Sequence, residues 1–73
     1  MATDLLRTGT VTDFDERVGL GTVTDGGGDV FPFHCTAIAD GTRTIEVGTD
    51  VAFRVVAGRT GRWEAGSLVR PGD

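Results

Sequence analysis

An all-β domain, built as a five-stranded antiparallel Greek-key barrel, is what this sequence predicts, on three observations. Apolar and polar residues alternate with period two, most plainly in Val51-Ala52-Phe53-Arg54-Val55. Short runs rich in Val, Thr and Phe are interrupted by Gly and Asp clusters, the punctuation of strands and turns. Twelve glycines among 73 residues discourage long helices. A helical reading of residues 4–20 fails at Gly9, at the β-branched run Thr10-Val11-Thr12 and at Gly19.

The elements follow in order. Five strands are expected at roughly 8–15, 18–24, 29–34, 50–57 and 62–69. The first two meet around Asp15-Glu16-Arg17. Asp25-Gly26-Gly27-Gly28-Asp29 is a flexible hairpin turn between the second and third. Gly58-Arg59-Thr60-Gly61 joins the fourth and fifth, with Gly free to take positive φ. The long segment 35–49 is anchored by Ile38 and Ile45 and turns at Ala39-Asp40-Gly41. Pro32 cannot donate to a ladder, so a bulge is expected beside it. Five short strands with one longer crossing after the third fit a closed barrel of the oligonucleotide/oligosaccharide-binding (OB) kind, and closure would remove the exposed edges. The expected interior is Val11, Val23, Val30, Ile38, Val51, Phe53 and Val55.

Length and charge bound the function. The whole chain, 1–73, makes a single domain. No apolar stretch approaches the ~18 residues of a membrane span, so no membrane partner is expected. Met1–Arg7 lacks the basic-then-apolar pattern of a secretory signal, and the single Cys35 leaves no internal disulfide, so a cytoplasmic location is expected. Net charge is −4, and all seven basic residues are Arg. Residues 1–35 carry the whole excess of negative charge, whereas 36–73 are balanced. This acidity argues against strong non-specific phosphate binding but leaves room for a local basic patch.

Few residues suggest chemistry. His34-Cys35 could pair a base with a nucleophile, but neighbours on a strand point to opposite faces, and the chain has no other His or Cys to complete a zinc site. Cys35 reads better as a small, mostly buried residue. Asp25–Asp29 lacks the spacing of a calcium loop and the Lys-Ser/Thr of a phosphate loop. Asp13, Asp15 and Glu16 have no partner base and read as a solvated acidic face. No catalysis, metal or cofactor is therefore expected. The one local signal of binding is Arg59, Arg62 and Trp63, in and just after the turn before the fifth strand. Arg beside Trp joins cation–π attraction to base stacking. Alternatively, Trp63 plugs the barrel end and the arginines serve solubility.

Gly9-Thr10-Val11-Thr12-Asp13-Phe14-Asp15-Glu16-Arg17-Val18-Gly19-Leu20-Gly21-Thr22-Val23 resembles the opening of a bacterial cold-shock domain, G-x-V-K-W-F-N-x-x-K-G-F-G-F-I, with both Gly spacings matched. Asp29-Val30-Phe31-Pro32-Phe33-His34-Cys35-Thr36-Ala37-Ile38 is similar to the family's D-V-F-V-H-F-S-A-I, with one extra residue near Pro32. Arg43-Thr44-Ile45, Gly48, Val51-x-Phe53-x-Val55 and Gly58-x-x-Gly61 resemble the family's K-T-L, G, V-x-F-x-I and G-x-x-G. The resemblance covers about residues 8–70. It implies a barrel that binds single-stranded RNA or DNA, with aromatics on strands two and three stacking on bases and basic residues around them holding phosphates.

The departures fall on the binding positions. The family's exposed Trp on strand one is Asp13, and the basic residue before it is Thr12. The Lys of the first RNP motif is Val18, and its two stacking Phe are Leu20 and Thr22. The Phe after the His is Cys35, and the aromatic of the long loop is Thr42. Phe31 and His34 survive and, by the resemblance, face outward as a small platform, with Phe33 in the core; Phe14 also survives, at a position whose counterpart is largely buried. At ~1–3 kcal/mol per stacked base, losing four positions costs at least ~4 kcal/mol, nearly three decades of affinity. The candidate nucleic-acid-binding residues are therefore Phe31, His34, Arg59, Arg62 and Trp63, with Leu20, Thr22 and Phe14 at positions the family uses. The expected function is weak binding of single-stranded RNA or DNA, with an RNA chaperone as one such role, by a monomer or a weak or domain-swapped dimer. The alternative is a protein-interaction module that has lost nucleic-acid binding and presents Leu20, Phe31 and Phe33 as an apolar patch.

Overall fold

The computed structural model describes residues 6–39, 41–58 and 61–70. Its strands are β1 (Leu6–Asp15), β2 (Leu20–Asp25), β3 (Val30–His34), β4 (Asp50–Ala57) and β5 (Trp63–Val69). The only helical element among the described residues is a 3-10 turn, Cys35–Ala37. All strand pairs are antiparallel, in the order β3-β2-β1-β4-β5. The expected strands thus stand, with β1 starting earlier and β2 later than the sequence suggested.

Alternation sets the core. Val11, Val23, Phe31, Phe33, Ile38, Ile45, Val51, Phe53, Ala65 and Leu68 are buried together. Val51 and Phe53, two apart on β4, face the same interior, as period two requires. Ile38 and Ile45 anchor the long crossing as expected. Val55 is only partly buried, packed against the core edge. Val30 departs from expectation: it is 58% exposed. The β2–β3 register explains this, since Thr24 pairs with Val30, Val23 with Phe31, Thr22 with Pro32, Gly21 with Phe33 and Leu20 with His34, without interruption. Phe31 and Phe33 therefore point inward, and Val30, Pro32 and His34 outward.

No bulge sits at Pro32. β3 lies at the end of the hydrogen-bonded order, where a residue without an N–H is tolerated. The irregularities lie elsewhere, in β1 between Val11 and Asp13 and in β4–β5 between Ala52 and Arg54. The expected closure also differs. β3 and β5 are not joined by a ladder, so the sheet is not closed by hydrogen bonds. Instead the crossing caps β5: Ile38 bridges Leu68, and the Ala39 N–H donates to the Leu68 carbonyl at 2.9 Å.

The β2–β3 turn is built by Asp25. Its Oδ1 accepts the N–H groups of Gly27 and Asp29, both at 2.9 Å, an Asx-type turn. Gly28 completes it at φ +91°. Between β4 and β5, the Gly58 N–H donates to the Arg62 carbonyl at 2.7 Å.

Candidate nucleic-acid interface

The outward face of β1–β3 is polar where aromatics were sought. Thr12 Oγ1 lies 3.0 Å from Thr22 Oγ1 and 3.1 Å from Thr24 Oγ1, so three hydroxyls satisfy one another across two strands. Pro32 stands opposite Thr22, and Leu20 opposite His34. Leu20 is 53% exposed.

Phe31 is not part of an outward platform. Only 8% exposed, it packs a tilted ring 5.6 Å from Phe53. Phe33 is in the core as expected, and Phe14 is half-buried against it. The apolar patch of the alternative reading thus keeps Leu20 alone of its three members. His34 does face outward. Its Nδ1 lies 3.0 Å from Thr36 Oγ1 and accepts the Thr36 N–H at 3.3 Å, which ties the ring to the 3-10 turn. Cys35 Sγ comes within 3.8 Å of the same nitrogen, closer than strand geometry allows, because Cys35 has already left the strand for that turn. Cys35 is half-buried rather than mostly buried.

A cleft of about 910 Å³ lies between β2–β3 and the start of β5. Thr22, Phe31, Arg62 and Trp63 from the sequence-derived set line it, together with Arg7, Asp29, Val30, Pro32 and Val55. Phe14, Leu20 and His34 are outside its lining. Arg59 lies outside the described residues. Of the chain's five aromatic side chains, Trp63 is the one well exposed, at 58%, so it does not plug the barrel. Arg62, beside it, is exposed and makes no ion pair among the described residues.

Arg7 is the cation of the cleft that sequence reading missed. Its Nη1 donates to Asp25 Oδ2 at 2.6 Å and lies 3.6 Å from Asp29 Oδ2. Its guanidinium carbon sits 5.5 Å from the Phe31 ring centre, within cation–π range. The Arg7 hydrogen bond, helped by the N–H groups of Asp29 and Gly27, holds the Asp25 carboxyl below its ordinary 3.8. The only available signal was the hairpin register: Gly9 pairs with Asp25, which brings the start of β1 alongside the acidic turn.

The family model for the "'Cold-shock' DNA-binding domain" matches residues 7–71. The chain belongs to the cold-shock domain family. Among its relatives is the "Cold shock-like protein CspA" of Stigmatella aurantiaca (strain DW4/3-1), 45% identical over 58 residues that span 77% of this chain and 85% of the relative. The five-stranded order and the near-absence of helix are those expected of a cold-shock OB-fold. Within that frame this cold-shock domain carries no Phe, Tyr or Trp on the outer face of β2 and β3, and its one indole stands exposed at the first residue of β5.

Proposed function

We propose that this cold-shock domain binds single-stranded RNA or DNA weakly, and that its contact surface is the cleft between β2–β3 and the start of β5. Trp63 supplies one base stack and Arg62 a phosphate contact, with Arg59, three residues earlier in the sequence, as a second cation. Pro32 and Val30 give the opposite wall an apolar surface against which a base edge can lie. The observation that carries this reading is Trp63: a large aromatic left 58% exposed, in a cleft beside an Arg that makes no ion pair among the described residues. One stack and few cations on a chain of net charge −4 support affinity that is micromolar or weaker at physiological salt. Weak, sequence-tolerant contact of this kind suits an RNA chaperone.

Trp63 is the sole Trp and there is no Tyr, so tryptophan fluorescence reports the cleft alone. Titration with heptathymidylate or heptauridylate at low salt should quench it, and added salt should reverse the quench. Absence of quenching at low salt, with no binding by an independent method, would favour the protein-interaction role instead. Low-nanomolar affinity at physiological salt would contradict the subtraction of stacking positions.

A further inference from the structure

We propose that Arg7 is a further cationic contact of the cleft, held out of use by Asp29, so that this one carboxylate sets how weakly the domain binds nucleic acid. The inference rests on the reading that the cleft binds single strands. Arg7 reaches the cleft from the start of β1 and is anchored there twice, by Asp25 at 2.6 Å and by the Phe31 ring at 5.5 Å. Those two contacts differ in kind from the third. The Asp25 side chain is only 7% exposed and is also fixed by the turn's N–H groups, so it positions the guanidinium. The Asp29 side chain is 70% exposed and lies 3.6 Å from the same nitrogen. It stands on the solvent side, where a phosphate oxygen would approach. A guanidinium has five donors in a planar fork and can hold one anion while receiving another. Asp29 both competes for that second place and repels the incoming phosphate. Its own structural duty is borne by its backbone, whose N–H and carbonyl close the turn with Asp25, so the carboxylate is dispensable to the fold.

The test measures heptathymidylate affinity, by anisotropy of a labelled oligonucleotide, across a salt series. It uses the wild type, Asp29→Asn, Arg7→Gln, the double variant, and Glu46→Gln as a carboxylate removed from a different depression. Asp29→Asn should tighten binding about two- to fivefold at low salt, the size of an exposed ion-pair effect. It should also steepen the logarithmic salt dependence by about 0.7, one added phosphate contact on a single strand. Arg7→Gln should weaken wild-type binding by no more than about the same two- to fivefold, and the double variant should bind no tighter than Arg7→Gln alone, a coupling that net charge alone cannot produce. Asp29→Ser serves as a second variant should Asn perturb the turn. If Glu46→Gln matches Asp29→Asn, or the gain persists without Arg7, the gate is overturned while cleft binding stands. If neither the wild type nor Asp29→Asn binds at low salt, cleft binding and the gate fall together.

Discussion

Phe14 and Phe33 lie face to face, ring centres 5.8 Å apart and planes 3° from parallel. The pair closes over Gly21, which stands opposite both residues, on β1 and on β3. Phe14, the ring that the resemblance offered as a site candidate, is half-buried and packs on the core through Phe33. Phe33 fills the space a side chain on β2 would need. A Cβ at Gly21 would sit 2.6 Å from Phe33 Cζ and 2.5 Å from the Asp13 carbonyl oxygen.

Gly21→Ala should accordingly destabilise the domain by about 1–3 kcal/mol, the usual cost of overpacking. For a domain of this size each kcal/mol lowers Tm by about 4–8 °C. Gly26→Ala, in the β2–β3 turn with nothing within 4 Å of the new methyl, should leave the melting temperature nearly unchanged. Thermal melts of the two variants side by side check the pair.

Phe31→Ala should act as a core mutation. Truncating a buried Phe costs about 3–5 kcal/mol, a large part of the stability of any small domain. His34→Ala, on an exposed side chain whose hydrogen bonds serve one short turn, should cost no more than about 1 kcal/mol. Urea denaturation separates the two outcomes. Equal, small losses would place Phe31 outside the core.

The contrast between these two residues shows where the sequence was legible. Strand order and most of the core could be read because alternation, turn glycines and anchoring isoleucines all agree. The facing of β3 could not. Between Asp29 and His34 the chain has one residue more than the resemblance supplies, and a shift of one residue reverses every side chain. Placing the extra residue beside Pro32 turned Phe31 outward and Val30 inward. The structure absorbs it in the Gly-rich turn, so counting back from His34 puts Pro32, not Phe31, on its face. Arg7 was illegible for a different reason. Its partner Asp25 is 18 residues away, and no local pattern joins them.

The Arg7–Asp25 pair should be visible in acid. The Asp25 carboxyl is held below 3.8 in the folded state, chiefly by the Arg7 hydrogen bond and then by the turn N–H groups. A depressed pKa stabilises the fold above the unfolded value and loses that contribution as pH falls through the folded one. The stability gap between wild type and Asp25→Asn should therefore be constant from about pH 5 to 7 and shrink only below about pH 3.8. Chemical denaturation at several pH values measures it. A gap that persists unchanged well below pH 3 would mean the ionised carboxylate is not what stabilises the turn.

The placement of the binding surface makes the last prediction. The outer face of β1–β2 offers exposed Asp13 and Leu20 and the Thr12–Thr22–Thr24 hydroxyls, with neither cation nor aromatic. The cleft offers Arg62 and Trp63. Replacing Arg59 and Arg62 together by Ala should reduce heptathymidylate binding below detection at physiological salt. Trp63→Ala should remove one stack, about 1–3 kcal/mol or roughly five- to a hundredfold in affinity. Leu20→Ala should alter binding less than twofold. Leu20, Arg62 and Trp63 are exposed, and circular dichroism should show intact folds in every variant. Binding that survives the double Arg change but falls sharply with Leu20→Ala would return the site to the outer face of β2. It would then have to work through apolar contact, because that face has no ring to stack.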